Sequence, residues 1–440
     1  MHLPIVQFPN VVVNSLDWFA PVFHTDEQLK HFCEYVTGLI VGDQATIAMI
    51  NALFLNRNDQ SALNKFLTQA TWDEHDLNRR RLQFELARLR QRPVSAHAGR
   101  LILDDTLAHH THCSMEGLAY LRDHTLNRNV WAHAVVTSYY VNRADQFPVD
   151  FRLYLQFNRK WETSRLQTAL ATLTATPHRD GYRRHLLDLL SFRVREQLFQ
   201  TKTTLGAELV EEAVRLGVPF DVVLFDSWYC RQTLIDAIES HHKDWVGGCP
   251  KDRKVLFQNR WVQLQEYIRT IPAEAYRPYR LGDDVYWAFT HVLPMRQLDR
   301  RRVRIVASYR AQIKLTELPN FYATNRKDWE PQRVLTTYAD RWPTETFNED
   351  VKGHLGFEDY QLRPLHGIKR HWYLSFVAYS LLGNQGSPGR SRWPVQGRYA
   401  TTGERCRAVA DELVSHLINW IMQQLQQGSS SELILHNLLA

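Results

Sequence analysis

The sequence predicts an α/β protein: a mixed β-sheet flanked by helices, with a helical region before it and a β-rich insertion within it. Three observations carry this reading. Residues 149–156, "VDFRLYLQ", alternate strictly, with Val149, Phe151, Leu153 and Leu155 on one side, as a strand with one covered face does. "VPFDVVLFD" at 218–226 is an almost unbroken apolar run, the pattern of a strand covered on both faces. "GAELVEEAVRLG" (206–217) before it and "RQTLIDAIESHH" (231–242) after it switch to helical period.

Taken in order, residues 41–70 read as two short helices about a polar "NRNDQ" turn, a helix-turn-helix outline with Leu63, Phe66 and Leu67 inward. The next helix carries Arg79, Arg80, Arg81, Arg88, Arg90 and Arg92 before Pro93 and is expected to offer phosphate contacts. From about residue 99, "RLILDDT" (100–106), "VWAHAVVTSYYV" (130–141) and "VDFRLYLQ" suggest an antiparallel meander. After basic helical sequence around 160–200 come the strand and helices already described. Residues 243–325 return to strand candidates among basic loops, read as a β-rich insertion plus one more core strand. A helix from about 329, an apolar helix at 371–383, a Gly/Ser/Pro/Arg linker at 383–398 and an amphipathic tail follow. The expected domains are therefore 1–98 (helical, DNA-binding), 99–242 and 319–384 (two parts of one core), 243–318 (insertion) and 385–440 (linker and tail).

The chain of 440 residues is 44% hydrophobic, enough for sizeable cores. Its 53 Lys and Arg against 47 Asp and Glu give a net charge of +6, which favours an anionic partner. Cys33, Cys113, Cys230, Cys249 and Cys406 are scattered and form no C-x-x-C pair, so neither a disulfide framework nor a zinc site is signalled. The N-terminus lacks a signal-peptide pattern, and the longest apolar stretch, 373–383, is too short to span a bilayer; a cytoplasmic protein without a membrane partner is expected.

The chemistry-bearing stretch is "YADRWPTETFNEDVKGH" (338–354), where Tyr338, Arg341, Glu345 and Lys352 fall at near-helical spacing. Solvated helices also space Glu and Lys this way, so the stretch gains meaning only from further carboxylates. Asp105 and Asp226 each end an apolar run at the carboxyl edge of the expected sheet, where open α/β sheets place ligands. Two strand-end aspartates and a helical glutamate form an all-oxygen donor set suited to Mg²⁺ or Mn²⁺, and two such ions support phosphoryl transfer. Asp104 competes with Asp105; strand neighbours point to opposite faces, and spacing alone does not choose between them. Pro343 implies that the helix restarts there, with Glu345 early in the new segment.

Tyr338-x2-Arg341-x3-Glu345-x6-Lys352, with "LILDDT" and "VVLFDSWYC" upstream in order, resembles the Y-R-E-K signature branch of bacterial insertion-sequence DDE transposases, over about residues 45–385. The resemblance implies an RNase H-like core. It makes Asp105, directly before Thr106, the first catalytic and metal-binding residue, Asp226 the second and Glu345 the third. Tyr338, Arg341 and Lys352 would grip phosphates at the transposon end. Lys251 and Lys254 would follow the DNA backbone, and Trp287 in the insertion would hold a flipped base. The implied cofactor is Mg²⁺ or Mn²⁺, as two ions. The implied partners are inverted-repeat ends and target DNA, engaged by a homodimer in a bacterial, nucleoid-associated setting. Competing readings are a domesticated, catalytically silent DNA-binding protein and an RNase H-like nuclease without strand transfer.

Overall fold

The computed structural model describes residues 3–57, 59–91, 99–111, 114–383 and 401–439. The expected linker beyond Gly383, together with Arg92, Pro93 and Cys113, lies outside the described residues.

The amino-terminal part is helical. Two short turns, α1 (Asn10–Val13) and α2 (Leu16–Phe19), lead into α3 (Asp26–Val41), α4 (Ile47–Ala52), α5 (Gln60–Thr68) and α6 (Glu74–Arg90). Thr25, Thr46, Asp59 and Asp73 cap the last four, each side chain accepting a backbone N–H of the first turn. Leu63, Phe66 and Leu67 of α5 are buried as expected. The basic face of α6 is only partly open: Arg79 and Arg90 are exposed, while Arg81 and Arg88 are turned inward. Arg81 is fully enclosed, Arg88 is ion-paired with Glu85 and Asp145, and Arg79 and Arg80 both pair with Asp76. The helix turns these cations toward its own acids and toward backbone carbonyls, which periodicity in the arginines alone does not reveal.

The core begins with β1 (Gly99–His110), β2 (Ala119–Asp123), β3 (Arg128–Val141) and β4 (Gln146–Tyr154). β1 pairs antiparallel with β3, and β3 with β4, the expected meander. A helical hairpin, α7 (Arg159–Ala175) and α8 (Arg179–Leu198), precedes α9 (Lys202–Arg215), β5 (Phe220–Phe225), α10 (Gln232–Ser240) and β6 (Asp244–Gly248). β5 lies parallel to both β1 and β6. The order β4-β3-β1-β5-β6, with three parallel central strands, is that of an RNase H-like core.

The β-rich stretch comprises β7 (Lys254–Phe257), β8 (Arg260–Gln263), the short α11 (Leu264–Arg269), β9 (Arg277–Leu281), β10 (Asp284–Met295), β11 (Arg301–Arg310) and β12 (Asn320–Thr324). These strands extend the core sheet rather than standing apart from it: β12 pairs with β6, and β11, β10, β7 and β8 continue outward. The chain then forms α12 (Pro331–Ala339), α13 (Pro343–His354), α14 (Leu365–Gly383), α15 (Thr402–Gln426) and α16 (Ser431–Leu439).

Two apolar layers sandwich the sheet. On one face Leu103, Val223 and Phe225 pack against Leu209 and Ala213 of α9 and Leu234 and Ile238 of α10. On the other, Ile102, Val222 and Leu224 join Phe347 and Val351 of α13 and the body of α14. Residues 371–382 of α14 are buried all round, as a helix apolar on every side must be. α14 also packs on α3, α5 and α6, so the amino-terminal helices and the sheet share one core. Among the described residues no helix is long and apolar enough to cross a membrane.

Candidate active site

β1 and β5 run side by side in parallel, with Leu103 opposite Phe225. The next residues along are Asp104 and Asp226: β5 ends there, but β1 runs on to His110 beside β3, so Asp105 does not end its strand as expected and both Asp104 and Asp105 lie within β1, level with the carboxyl end of β5. Asp226 stops its strand by capping the following turn: its Oδ1 accepts from the Trp228 N–H at 2.9 Å and the Tyr229 N–H at 3.4 Å. That turn needs room. The backbone of Gly248 in β6 lies so close that a Cβ there would sit 2.7 Å from the Ser227 nitrogen, which only glycine permits.

Glu345 arrives from a different direction. α12 ends at Ala339 and α13 begins with Pro343 at its first position, which breaks the chain into two helices as Pro343 implies. Glu345 then stands in the first turn of α13, where the helix dipole favours a carboxylate.

Arg341, in the joint between α12 and α13, ties the edge together. Its Nη1 donates to Asp104 Oδ2 at 2.9 Å and its Nη2 to Glu345 Oε1. The Arg341 guanidinium also lies 5.9 Å from the centre of the Tyr338 ring, which in turn packs on Tyr322. Asp105, one residue on, faces the other layer. Its Oδ2 accepts from Lys202 Nζ at 2.5 Å, and its Oδ1 from the Tyr229 hydroxyl at 3.1 Å. The structure thus brings Asp104, Arg341 and Glu345 into one chain of contacts and aims Asp105 at Lys202 and Tyr229.

The electrostatics follow from this crowding. Burial pushes the Asp104 carboxyl up to about 7; Arg341 opposes that rise, and the charges of Asp105 and Asp226 add to it. Asp226 is also raised, first by burial and then by Asp105, while the Trp228 and Tyr229 amides pull it back. Burial holds the Tyr229 hydroxyl firmly protonated, as its donation to Asp105 requires. Four carboxylates therefore face two cations, Arg341 and Lys202.

An all-carboxylate donor set in acid excess suits a hard divalent cation. In the geometry at hand, however, Arg341 and Lys202 already hold carboxylates. Among the described residues no three His, Cys, Asp or Glu side chains converge as a ready metal site.

The remaining expected residues spread outward. Lys352 donates to the Leu107 carbonyl at 2.7 Å and pairs with Glu358 at 3.0 Å, close along β1 to the acids. Lys251 is exposed and Lys254 half-buried. Trp287 is half-buried on β10, its Nε1 donating to the Ala311 carbonyl. β10 stands four strands from β5, roughly 19 Å at ~4.8 Å per strand. Sequence reasoning missed Lys202 and Tyr229. Lys202 looked like one more cation in a basic helical stretch, 97 residues from its partner. It also missed Trp228 and Trp342, 60% and 67% exposed, which flank the site two residues after Asp226 and three before Glu345. Their signal was present: tryptophans set directly beside candidate acids.

Residues 18–309, more than half of the chain, match the family described as DDE superfamily endonuclease. The match includes Asp104, Asp105 and Asp226 and ends before the Tyr338–Lys352 stretch. A comparison with curated proteins finds no match. Endonucleases of this superfamily act on DNA with divalent metal ions, and the acid-rich sheet edge has the donor chemistry for that task. The chain belongs to the DDE superfamily endonucleases.

Proposed function

We propose that this protein is a DDE transposase of the Y-R-E-K branch, encoded by a bacterial insertion sequence, which binds terminal inverted repeats, cuts at the element ends and joins the freed strand to target DNA. The observation that carries the reading is the Arg341 bridge. A glutamate in the first turn of α13 and an aspartate of β1 are held together at the sheet edge beside Asp226, by the arginine of the signature itself.

Asp226, Glu345 and, as the resemblance implies, Asp105 are the proposed metal-binding residues. A second reading puts Asp104 in the first position. It is favoured by the strand register, which sets Asp104 on the face of Asp226 and α13, and by the Arg341 contact. When bound there, Mg²⁺ or Mn²⁺, as two ions, would activate the attacking oxygen and stabilise the leaving one. Arg341 and Lys202 neutralise the carboxylates until then. Once freed from Asp104, the Arg341 guanidinium presents its fork to a phosphate near the scissile bond. Lys352 adds a point charge, and Tyr338 backs the arginine. The exposed rings of Trp228 and Trp342 offer stacking faces to bases beside the cut, each stacked base contributing ~1–3 kcal/mol. Lys251 and Lys254 are proposed to follow the backbone farther out, where Trp287 is a candidate to hold a displaced base.

The test is a cleavage assay with Mg²⁺ and a plasmid carrying the inverted repeats that flank the gene, run with Asp226→Asn, Asp105→Asn and Asp104→Asn. Release of the element by the wild type, lost in Asp226→Asn, is expected. Full activity in Asp226→Asn would remove the site assignment, and whichever of the other two variants is inactive identifies the first carboxylate. Tight end binding by the wild type without cutting, in Mn²⁺ as well, would favour a silent DNA-binding protein. Cutting without joining would leave a nuclease.

A further inference from the structure

Two cysteines that share no motif in the sequence meet beneath the turn that Asp226 caps. Phe225 of β5 lies opposite Gly247 of β6, so the Ser227–Tyr229 turn after β5 and Cys249 after β6 leave the sheet level with each other. The turn brings Cys230 back over its own start, its N–H donating to the Ser227 carbonyl at 3.4 Å. Cys230 and Cys249 are 0% and 5% exposed, lie in the same apolar layer and hydrogen-bond through their thiols. Cys33 and Cys406 belong to the opposite layer.

Apolar burial accounts for the two thiols but not for the cation beside them. Arg253 is 4% exposed; its Nη2 donates to the Cys230 carbonyl at 2.9 Å, and its Nε has no hydrogen-bond acceptor. Among the described residues no carboxylate pairs with it. A buried guanidinium without a counter-ion is costly, and a thiolate is the anion this neighbourhood can supply. The hydrogen bond from Cys249 lowers the Cys230 thiol against the opposing effect of burial, and the Arg253 charge lowers it further. Cys249 is raised by the same bond and by burial, so it keeps its proton. One sulfur is set to attack and the other to resolve.

We propose that Cys230 and Cys249 are a redox-active pair, which a hydroperoxide converts into a reversible disulfide. The Cys230 sulfur attacks one peroxide oxygen; the O–O bond breaks, a sulfenic acid forms, and the departing hydroxide takes up a proton to become water. The Cys249 sulfur then attacks the Cys230 sulfur; the S–O bond breaks, and hydroxide leaves with the Cys249 proton as a second water. Two electrons pass from the sulfurs to the peroxide. In a reducing compartment the dithiol is the resting form, and the exposed Ser227 and Trp228 mark the way in. Cys230 also directly follows Tyr229, which holds Asp105, and ends the turn capped by Asp226. Drawing the two sulfurs into a bond of ~2.0 Å therefore shifts the contacts of both carboxylates. That consequence for cleavage rests on the proposed function; the disulfide itself does not.

The experiment treats the full chain, without DNA, with hydrogen peroxide, alkylates the remaining thiols and maps the digested peptides by mass spectrometry. The Cys230 and Cys249 peptides are expected to be linked and to separate in dithiothreitol, while those of Cys33 and Cys406 are recovered alkylated. Recovery of Cys230 and Cys249 unlinked, or linked mainly to other cysteines, would overturn the proposal. In the plasmid assay the linked protein is expected to cut at least about tenfold more slowly, the scale of a small misplacement at a reacting site, and to recover in dithiothreitol. Cys230→Ala is expected to keep its rate through the same treatment. Linked protein that cuts as fast as the reduced form, or equal inactivation of Cys230→Ala, would overturn the effect on the site. Reduced protein that cuts no DNA would count against the proposed function instead, and the linked peptides would still establish the redox pair.

Discussion

Arg341 at the sheet edge and Arg81 beneath α14 show how differently the molecule uses two arginines. Arg81 is fully buried, and all five of its N–H groups find acceptors. Nε and Nη2 bond Asn78 Oδ1, Nη2 also bonds the Val149 carbonyl, and Nη1 bonds the Pro148 carbonyl and Ser380 Oγ. Those acceptors come from α6, β4 and α14, so Arg81 fixes the relation of three elements and has nothing left to give. Arg341 bonds two carboxylates of an acid excess, and on the proposed reading these are the partners a metal ion would take over. One arginine is structure; the other holds a place.

The largest effects test that division. Asp226→Asn is expected to lower cleavage more than about a thousandfold, some 4 kcal/mol of barrier, while the urea midpoint of the metal-free protein stays level or rises. Relief of acid crowding supports the second half, since burial and Asp105 both disfavour the Asp226 charge. Arg81→Ala reverses the pattern. It strands the Pro148 and Val149 carbonyls and Asn78 Oδ1 in the interior and is expected to lose roughly 4 kcal/mol of stability. An Arg81→Ala protein of wild-type midpoint would end the comparison.

The pH responses should also have opposite signs. His371, a buried residue of α14, bonds the Gly356 carbonyl through Nε2 and the Tyr35 hydroxyl through Nδ1, and burial pulls it down to about 4. The unfolded chain protonates near 6.5, before the folded one, so stability falls as pH drops from about 6.5 toward 4, by up to ~3 kcal/mol. Asp104 behaves conversely. Its folded carboxyl titrates at about 7, above its unfolded value, so its contribution is fully present at low pH and is lost as pH rises through 7. In metal-free buffer at pH 8, Asp104→Asn is expected to raise stability by about 1–2 kcal/mol, and at pH 5 to lose most of that advantage. Urea titrations at both pH values check the two together; a gain in Asp104→Asn that is larger at pH 5 would refute the assignment.

Much of this was readable in the chain, for physical reasons. The alternation around Val149, Phe151 and Leu153 and the unbroken run before Asp226 are local patterns, and they became β4 and β5, although β4 ends at Tyr154 and buries Asp150 along with Val149 and Phe151. Pro343 restarted a helix because a proline ring decides its own backbone. The candidate site was legible as a set of residue types and less so as an arrangement. Whether Asp104 or Asp105 faces α13 depends on the phase of β1 against β5, and that register is set across more than a hundred residues. Arg81 and Arg90 look alike in an arginine-rich helix; only the carbonyls of β4 distinguish the enclosed one from the exposed one. The β-rich stretch was identified by composition, but its continuity with the core sheet rests on the pairing of β12 with β6, which neither sequence announces.

The smallest expected effect is the most discriminating for the edge. Lys352 donates to the Leu107 carbonyl and pairs with the half-buried Glu358, so it resembles Arg81 in having fixed partners and Arg341 in lying beside the acids. If it also reaches a phosphate, Lys352→Ala should weaken binding of the inverted-repeat ends and make the slope of log K against log salt shallower by about 0.9, one phosphate contact. Stability should fall by no more than ~1 kcal/mol, the net contribution of the bond to Leu107. If instead binding and its salt slope are unchanged while stability drops by the same amount, Lys352 is a strut between β1 and the turn after α13. The phosphate grip would then belong to Arg341 alone.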